Sequence, residues 1–265
     1  MPQRSRPVAL ITGASRGIGR SIAIELARGG YDIAANATTY DPAHRQAGLA
    51  EVEDRITALG AAFEPVPADI SQLDVHETIV SAVLRRFGRI DLLVNNAGVG
   101  PQQRLDILET TPAGYDRAMA INARGTFFLT QRVARCMVEQ VRSEPDAKPA
   151  IIFISSISAI ASSPNRVEYC LAKAAISQAA HIFADRLAAC GVNVYEVRPG
   201  IIRTDMTAPV REMYDERIAG GLVPQGRWGE PDDVARVVAA LASGAFAYAT
   251  GIAIEVSGGM NIRHL

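Results

Sequence analysis

Short apolar runs alternate with longer amphipathic stretches along almost the whole chain. Seven runs predict strands, and several are apolar at consecutive positions, as expected for strands covered on both faces. These runs are 8–11, 32–36, 62–68, 90–95, 150–155, 192–197 and 252–256. Helical patterns occupy 17–28, 43–59, 74–87, 113–141, 168–189 and 231–242. The alternation predicts an α/β fold, with one doubly wound parallel sheet of about seven strands and helices on both faces.

Two segments interrupt the alternation. Residues 142–149 read RSEPDAKP, a polar turn before a strand, and residues 205–229 are rich in glycine, proline and methionine. Loops as long as the second one often act as lids or binding loops in compact domains. No internal repeat or low-complexity linker divides the sequence. We therefore predict one domain spanning residues 1–265, with a substrate loop near 205–229.

Composition and charge exclude several classes of protein. The 265 residues carry a formal net charge of −1 with 48% hydrophobic residues, which argues against nucleic acid as the main partner. No signal peptide is expected before the first strand, and no apolar run is long enough to span a membrane. Three cysteines and four histidines are scattered without the spacing of a disulfide framework or a metal site. We expect a cytoplasmic protein with no metal and no membrane contact.

A glycine-rich turn, ITGASRGIG, follows the first predicted strand and opens the first helix. Gly13, Gly17 and Gly19 allow a tight turn, close backbone approach to a pyrophosphate, and close packing of helix on strand. The free N–H groups at the helix N-terminus attract an anion. The position of this G-x-x-x-G-x-G turn between a strand and a helix favours dinucleotide binding over a purely structural turn.

Five motifs in order carry a resemblance to a known family. They are Thr12-Gly-x-x-x-Gly-Ile-Gly19, Asn95-Asn-Ala-Gly98, Ser156, Tyr169-x-x-x-Lys173 and Pro199-Gly200. From about Ala9 to Gly259 the chain is similar to short-chain dehydrogenases/reductases, and its closing segments GRWGEPDDVA and TGIAIEVSGG also look like theirs. The resemblance implies a single Rossmann-type domain, a nicotinamide cofactor and a homotetramer.

The run EYCLAK places Tyr169 and Lys173 four residues apart, on one face of a predicted helix. A free tyrosine has a pKa near 10, so proton exchange near neutral pH requires stabilisation of the phenolate, which a nearby ammonium can provide. The resemblance assigns this role to Lys173, together with a contact to the nicotinamide ribose. It also implies that Ser156 hydrogen-bonds the reacting oxygen and that Asn122 joins a proton relay.

Two of these assignments have alternatives in the sequence. Ser155 and Ser158 lie close to Ser156, although the spacing of thirteen residues to Tyr169 matches the family pattern only for Ser156. For Asn122 the alternative is a purely structural role in bending the helix.

The second predicted strand bears on the choice of cofactor. An acidic residue at its end would bind the adenosine 2′-hydroxyl and select NAD, but the strand runs out as NATTY, which includes Thr38, and the first acid is Asp41. Arg16, in the glycine-rich turn, is placed to attract a 2′-phosphate, with Arg45 and His44 as further candidates. NADP(H) is therefore favoured over NAD(H).

The resemblance extends to the other contacts with the cofactor. It implies that Asp69 and Ile70 flank the adenine and that Ile202 and Thr204 hold the nicotinamide amide. The full set is Gly13, Ser15, Arg16, Gly17, Ile18, Gly19, Thr38, Asp69, Ile70, Asn96, Ala97, Gly98, Tyr169, Lys173, Pro199, Gly200, Ile202 and Thr204.

The expected substrate is a small carbonyl compound or secondary alcohol. The β-ketoacyl-carrier-protein reductases look like the nearest subgroup, partly through the run PGIIRTDMT. The basic residues with which those enzymes dock the acidic carrier are replaced here by the mixed-charge run RSEPDAKP and by Cys190. In the loop before the tyrosine, Asn165, Arg166 and Glu168 suit a sugar, polyol or keto acid, unless these side chains face solvent or another subunit.

Two other functional classes fit the sequence less well. A nucleotide sensor without catalysis would often lack the tyrosine or the lysine, and an epimerase would need a longer C-terminal domain. Alanines on the tyrosine helix would permit close helix packing between subunits, or within one. These are Ala174, Ala175, Ala179 and Ala180.

Overall fold

Seven parallel strands form one sheet in the order β3-β2-β1-β4-β5-β6-β7. The computed structural model describes residues 6–263, so residues 1–5, on which the signal-peptide prediction bears, and residues 264–265 lie outside it. The strands are β1 (Val8–Thr12), β2 (Asp32–Ala37), β3 (Phe63–Pro67), β4 (Leu92–Asn95), β5 (Ala150–Ile154), β6 (Asn193–Pro199) and β7 (Ala253–Val256). All seven predicted strands are present, and the predicted α/β class is confirmed.

Helices connect the strands and cover both faces of the sheet. They are α1 (Gly17–Arg28), α2 (Gly48–Ala58), α3 (His76–Phe87), α4 (Pro112–Met119), α5 (Thr126–Ser143), α6 (Val167–Ala188), α7 (Arg211–Ala219) and α8 (Pro231–Ala242). In the described part of the chain, none of these helices has the length and apolar character needed to cross a bilayer.

Two predicted helices differ from those observed. The pattern over 43–59 forms a helix only from Gly48, whose φ of 77° lies outside the right-handed helical region and separates α2 from the preceding turn. The pattern over 113–141 contains a π-helical segment, Ala120–Gly125, between α4 and α5. Inserted π turns often occur at functional sites, and this one contains Asn122.

Two apolar layers hold the helices against the sheet. One layer includes Ile22 of α1 and Val238 of α8, both fully buried. The opposite layer includes Val83 of α3 and Leu129 of α5, which are also fully buried. Each strand therefore presents apolar side chains to both faces, which explains the uninterrupted apolar runs in the sequence.

The segment 205–229 is more ordered than the sequence predicts. It contains α7, a helix that the sequence pattern does not predict, and it forms its own small apolar cluster around Tyr214 and Trp228. The two aromatic rings meet edge to face with centroids 5.8 Å apart, and the indole N–H of Trp228 donates to Asp215 Oδ1 at 2.6 Å. This packing holds α7 close to the loop that precedes the tyrosine helix.

Candidate active site

The glycine-rich turn leaves an open cradle at the carboxyl end of β1. Gly13 and Gly17 have φ values of 65° and 55°, a region that L side chains rarely adopt. A Cβ on Gly19 would overlap the carbonyl of Gly13, and one on Gly13 would lie 2.8 Å from Ala97 Cα. Backbone that approaches so closely, with the α1 N-terminus facing outward, fits a dinucleotide pyrophosphate.

Thr12 and Asn96 join the ends of β1 and β4 beneath this cradle. The hydroxyl of Thr12 accepts hydrogen bonds from the backbone N–H groups of Asn96 and Ala97, both at 3.0 Å. The Asn96 amide donates to the carbonyls of Thr12, at 2.9 Å, and Gly13, at 3.1 Å. Because the strand order reverses between β1 and β4, these bonds shape the crevice in which open α/β sheets bind ligands.

The end of β2 carries no free acid. Thr38 is exposed there, and the side-chain amide of Asn36 donates hydrogen bonds to the carbonyls of Val66 and Ala68. Arg16 extends into solvent, with 76% of its side chain exposed and only a long contact of 3.6 Å to Asp205. Arg45, a further candidate for the 2′-phosphate, is instead paired with two carboxylates of α2. They are Glu53, at 2.8 Å, and Asp54, at 2.9 Å.

The remaining residues of the implied cofactor set lie around the same edge of the sheet. Asp69 is exposed after β3, and Ile70 is buried beside it. A Cβ on Gly17 would lie 3.4 Å from Thr204 Cγ2, so the glycine-rich turn and the loop after β6 face each other. Gly200 packs closely on Ser257: a Cβ on residue 200 would lie 2.8 Å from the Cα of Ser257.

Tyr169, Lys173 and Ser156 come together where β5 ends and α6 begins. The Ser156 hydroxyl lies close enough to the Tyr169 phenol to lower its pKa. Lys173 Nζ lies 5.7 Å from the centroid of the Tyr169 ring and donates to the carbonyl of Ile154 at 2.9 Å. The helical spacing read from EYCLAK therefore places the two side chains on one face, with Lys173 almost fully buried.

The two alternative serines point elsewhere. The hydroxyl of Ser155 donates to the buried carboxylate of Glu196. Ser158 is the side-chain partner of Cys170, while its backbone N–H donates to Ser156 Oγ at 3.1 Å. Of the three serines considered in the sequence, Ser156 is the one whose hydroxyl meets Tyr169.

Asn122 lies behind this group and is fully buried. Both ends of its side-chain amide form hydrogen bonds with the backbone of Val99. The Val99 N–H donates to Asn122 Oδ1 at 2.8 Å, and Asn122 Nδ2 donates to the Val99 carbonyl at 2.9 Å. A Cβ on Gly98 would lie 3.3 Å from Asn122 Oδ1 and 3.6 Å from Lys173 Nζ. Asn122 Oδ1 and Lys173 Nζ thus both lie close to the backbone of Gly98, where a side chain on residue 98 would crowd them.

Buried charges support the site from the opposite side of Lys173. Glu196, in β6, accepts from Ser155 and from Ser177 of α6, the latter at 3.0 Å. Arg198 holds the same carboxylate with two bonds, from Nε at 2.8 Å and from a terminal nitrogen at 3.0 Å. The sequence interpretation missed this network, although charges at alternate positions of an apolar strand were a signal for it.

Arg166 is a second group whose effect on the tyrosine the sequence interpretation missed. Its guanidinium carbon lies 5.9 Å from the centroid of the Tyr169 ring. Burial raises the pKa of Tyr169, whereas the hydrogen bond from Ser156 and the charge of Arg166 lower it. Arg166 therefore lies beside the phenol as a second cation, in addition to Lys173.

Burial also acts on Lys173. Removal from water lowers its pKa to about 8, and the attraction of Glu196 opposes that fall. An amine with this pKa keeps its positive charge over much of the neutral range. A phenol beside a serine hydroxyl and two cations can exchange a proton with a substrate oxygen.

A parallel sheet with a glycine-rich turn at its switch point and a tyrosine–lysine pair at the same edge defines a dinucleotide-dependent oxidoreductase. Comparison with known proteins specifies the class further. A family model described as enoyl-(acyl carrier protein) reductase matches residues 13–261. The chain belongs to the short-chain dehydrogenase/reductase family and transfers hydride between a nicotinamide cofactor and a carbonyl or secondary alcohol.

Individual relatives differ in what they act on. A crystal structure described as 3-oxoacyl-[acyl-carrier protein] reductase from Brucella melitensis in complex with NAD has a TM-score of 0.93 and 45% identity, covering 99% of this chain and 100% of that one. L-rhamnose 1-dehydrogenase (NAD(P)(+)) of Azotobacter vinelandii is 35% identical, over 96% of both chains. The 3-oxoacyl-[acyl-carrier-protein] reductase of Staphylococcus epidermidis is also 35% identical, over 95% of this chain and 98% of the relative.

Proposed function

We propose that this oxidoreductase prefers NADP(H), acts on a small polar carbonyl compound or its alcohol, and uses Tyr169 for proton transfer. The observation that carries the proposal is the convergence of Ser156 and Tyr169 where β5 ends and α6 begins, with the buried ammonium of Lys173 5.7 Å from the centroid of the tyrosine ring. In this proposal the bound cofactor supplies or accepts the hydride. The remaining work falls to the side chains of the protein.

The residues divide this work between the substrate oxygen and its proton. Tyr169 gives a proton to the oxygen during carbonyl reduction and removes it during alcohol oxidation. The Ser156 hydroxyl donates to the same oxygen as negative charge develops on it. Lys173 and Arg166 stabilise the phenolate that forms, and Asn122 continues a relay of protons from Lys173. Because Gly98 has no side chain, it leaves room for the cofactor beside Asn122 Oδ1 and Lys173 Nζ.

The proton-transfer role predicts a large effect of Tyr169→Phe. The variant removes only the hydroxyl, so kcat should fall by roughly 10²- to 10⁴-fold while NADPH binding persists. We would follow NADPH oxidation with acetoacetyl thioester and with a set of sugars and keto acids, and measure NADPH binding by fluorescence. A variant that turns over like the wild type would contradict the assignment of Tyr169.

The preference for NADP(H) rests on the exposed Arg16 and on the lack of a free carboxylate at the end of β2. Arg16→Gln should lower kcat/KM for NADPH by roughly 10- to 100-fold and leave NADH little changed, since one charge-assisted bond to the 2′-phosphate is lost. Arg20→Gln, one helical turn further along α1, is the matched control. A wild-type preference for NADH, with no change in the ratio for Arg16→Gln, would overturn this part of the proposal.

A second candidate is the reduction of β-ketoacyl groups on a carrier protein. The 45% identical Brucella structure favours it, because its description gives that activity. On the surface expected to dock an acidic carrier, Arg142 is paired with Glu139, and Cys190, whose Sγ accepts from Arg186, stands where the second basic residue was expected. Rapid turnover of acetoacetyl thioester that is lost in Tyr169→Phe would favour this candidate over a sugar or a keto acid.

A further inference from the structure

A cavity of about 380 Å³ opens beside the candidate site, between the loop that precedes α6 and the helix α7. Its wall carries three arginines, Arg104, Arg166 and Arg217, against a single acid, Asp106. A volume of this size holds a small molecule but not a large one. The imbalance of charge makes the cavity electropositive, although the whole chain is close to neutral.

The three guanidinium groups lack carboxylate partners. Within residues 6–263 no acid lies at ion-pair distance from any of them, whereas Arg45, Arg89 and Arg227 elsewhere are each paired with an acid. In Arg166 the Nε atom donates to Ser163 Oγ at 3.1 Å, which fixes the plane of the guanidinium. Its two terminal nitrogens remain available for the bidentate geometry that arginine forms with a carboxylate.

Arg166 also connects the cavity to the chemistry. Its guanidinium carbon lies 5.9 Å from the centroid of the Tyr169 ring, so the cavity adjoins the tyrosine of the candidate site. On the far wall, Tyr214 and Arg217 belong to α7, which the Tyr214–Trp228 contact holds in place. Arg166, at the N-cap of α6, and Arg217, on α7, therefore line the cavity from two different helices.

The remaining lining suits hydroxyl groups better than an alkyl chain. Ser162, Ser163 and Asn165 all line the cavity, and the hydroxyl of Ser163 lies 3.1 Å from Asn165 Oδ1. Apolar lining is restricted to Pro164, Met213 and the ring of Tyr214. A fatty acyl chain would bury little apolar surface here, whereas a polyol would find donors and acceptors.

We propose that the substrate is a polyhydroxylated carboxylic acid, whose carboxylate binds Arg166 with Arg104 and Arg217 completing an anion-binding pocket. The proposal rests on the proposed function, because it names the substrate class of the same oxidoreductase. A carboxylate is favoured over a neutral sugar because three unpaired guanidinium groups face the cavity. It is favoured over a long acyl group because of the polar lining.

The test compares matched acids and neutral sugars on the intact enzyme. Oxidation would be measured for D-gluconate, D-galactonate and L-rhamnonate, each beside the corresponding aldose, with D-glucose 6-phosphate as a phosphate-bearing arm. Binding of each compound would be measured by calorimetry in the presence of NADP⁺. We expect at least one acid to exceed its aldose by roughly tenfold or more in kcat/KM or in affinity.

Four variants test whether that preference depends on the pocket. Arg166→Gln and Arg217→Gln should raise KM for the preferred acid by roughly 10- to 100-fold, while Arg211→Gln, at the start of α7 and outside the cavity, should leave it unchanged. An effect transmitted only through the tyrosine would reduce turnover of acids and aldoses alike. Because Arg166 also stabilises the Tyr169 phenolate, the proposal predicts a larger loss for acids than for aldoses in Arg166→Gln, a loss confined to the acids in Arg217→Gln, and rescue of part of the loss by Arg166→Lys.

Several outcomes would overturn this inference. They are equal binding of acids and aldoses, tighter binding of the phosphate ester than of any carboxylate, or equal losses for acids and aldoses in Arg166→Gln. A neutral carbonyl compound such as diacetyl distinguishes failure of the substrate proposal from failure of the proposed function. Its reduction, lost in Tyr169→Phe, would uphold the proposed function even if no acid were preferred.

Discussion

Glu196 is a carboxylate held at 1% exposure inside the sheet, beside the candidate active site. Burying a charge is costly unless it is paired and hydrogen-bonded. Arg198 pairs with it, and hydroxyls from the end of β5 and from α6 donate to it. Since these are the two elements that carry Ser156 and Lys173, the network fixes the positions of both and sets the field around the lysine.

This field gives a pH prediction for Glu196→Gln. The negative charge of Glu196 raises the pKa of Lys173 against the effect of burial, so its removal lets that pKa fall below about 8. The ammonium is then lost at lower pH. We expect the alkaline limb of kcat/KM for carbonyl reduction to move by roughly 1 unit towards lower pH. The profile would be measured with saturating NADPH from pH 6 to pH 10.

Glu255→Gln is the control for this prediction. Glu255 contacts Arg198 at 3.3 Å, at the outer end of the same network, whereas the carboxylate that raises the pKa of Lys173 is that of Glu196. The variant tests whether loosening Arg198 alone moves the profile. Identical shifts of the pH profile in the two variants would mean that the packing of the network, rather than the charge of Glu196, controls the pKa of Lys173.

At the scale of elements, the π-helical segment between α4 and α5 turns Asn122 towards the loop after β4. Its amide forms two bonds with Val99, which hold the backbone of Gly98 in front of Lys173. This geometry supports a structural role and is also compatible with a proton relay, because each end of an amide can form a further hydrogen bond.

Asn122→Ala distinguishes these two roles. The loss of two buried hydrogen bonds should lower the free energy of unfolding by about 2–4 kcal/mol, and loss of a relay should lower kcat by roughly 100-fold at a temperature where the variant is folded. Asn95→Ala removes another buried asparagine, bonded to Thr130, and should reduce stability without reducing kcat. A normal kcat in Asn122→Ala would leave only the structural role. Urea unfolding and steady-state kinetics provide both measurements.

Elements with a clear pattern of apolar residues could be predicted from the sequence, whereas elements held in place by only a few contacts could not. The seven strands have continuous apolar runs, whereas α7 contributes only Tyr214 and Ile218 to a core and has no apolar stripe to detect. Among site residues, Tyr169 and Lys173 are found by helical spacing. Arg166 is a single loop arginine in the sequence, and its contact with the tyrosine depends on how that loop folds back on α6.

At the scale of the whole molecule, α6 presents an apolar face to solvent. Leu171, Ala175 and Ile182 are exposed at helical spacing, with Leu171 at 47% and Ile182 at 57% exposure, and Phe128 of α5 is 40% exposed. Of the four alanines named in the sequence, Ala179 and Ala180 pack inside the subunit, which is the alternative that the sequence left open. We propose that the exposed face of α6 packs against a second copy of the chain in the homotetramer implied by the family.

The double variant Leu171→Gln/Ile182→Gln tests this assembly. It removes two exposed apolar side chains from each copy, so we expect the dissociation constant to rise by roughly 10- to 100-fold, with the fold of the subunit retained. Leu59→Gln, which alters an apolar side chain exposed to 39% at the end of α2, should leave assembly unchanged. Sedimentation velocity over a range of concentrations gives the mass of each form, and circular dichroism checks the fold. A monomeric wild type, or a double variant that remains tetrameric at every concentration, would show that this face is not the interface.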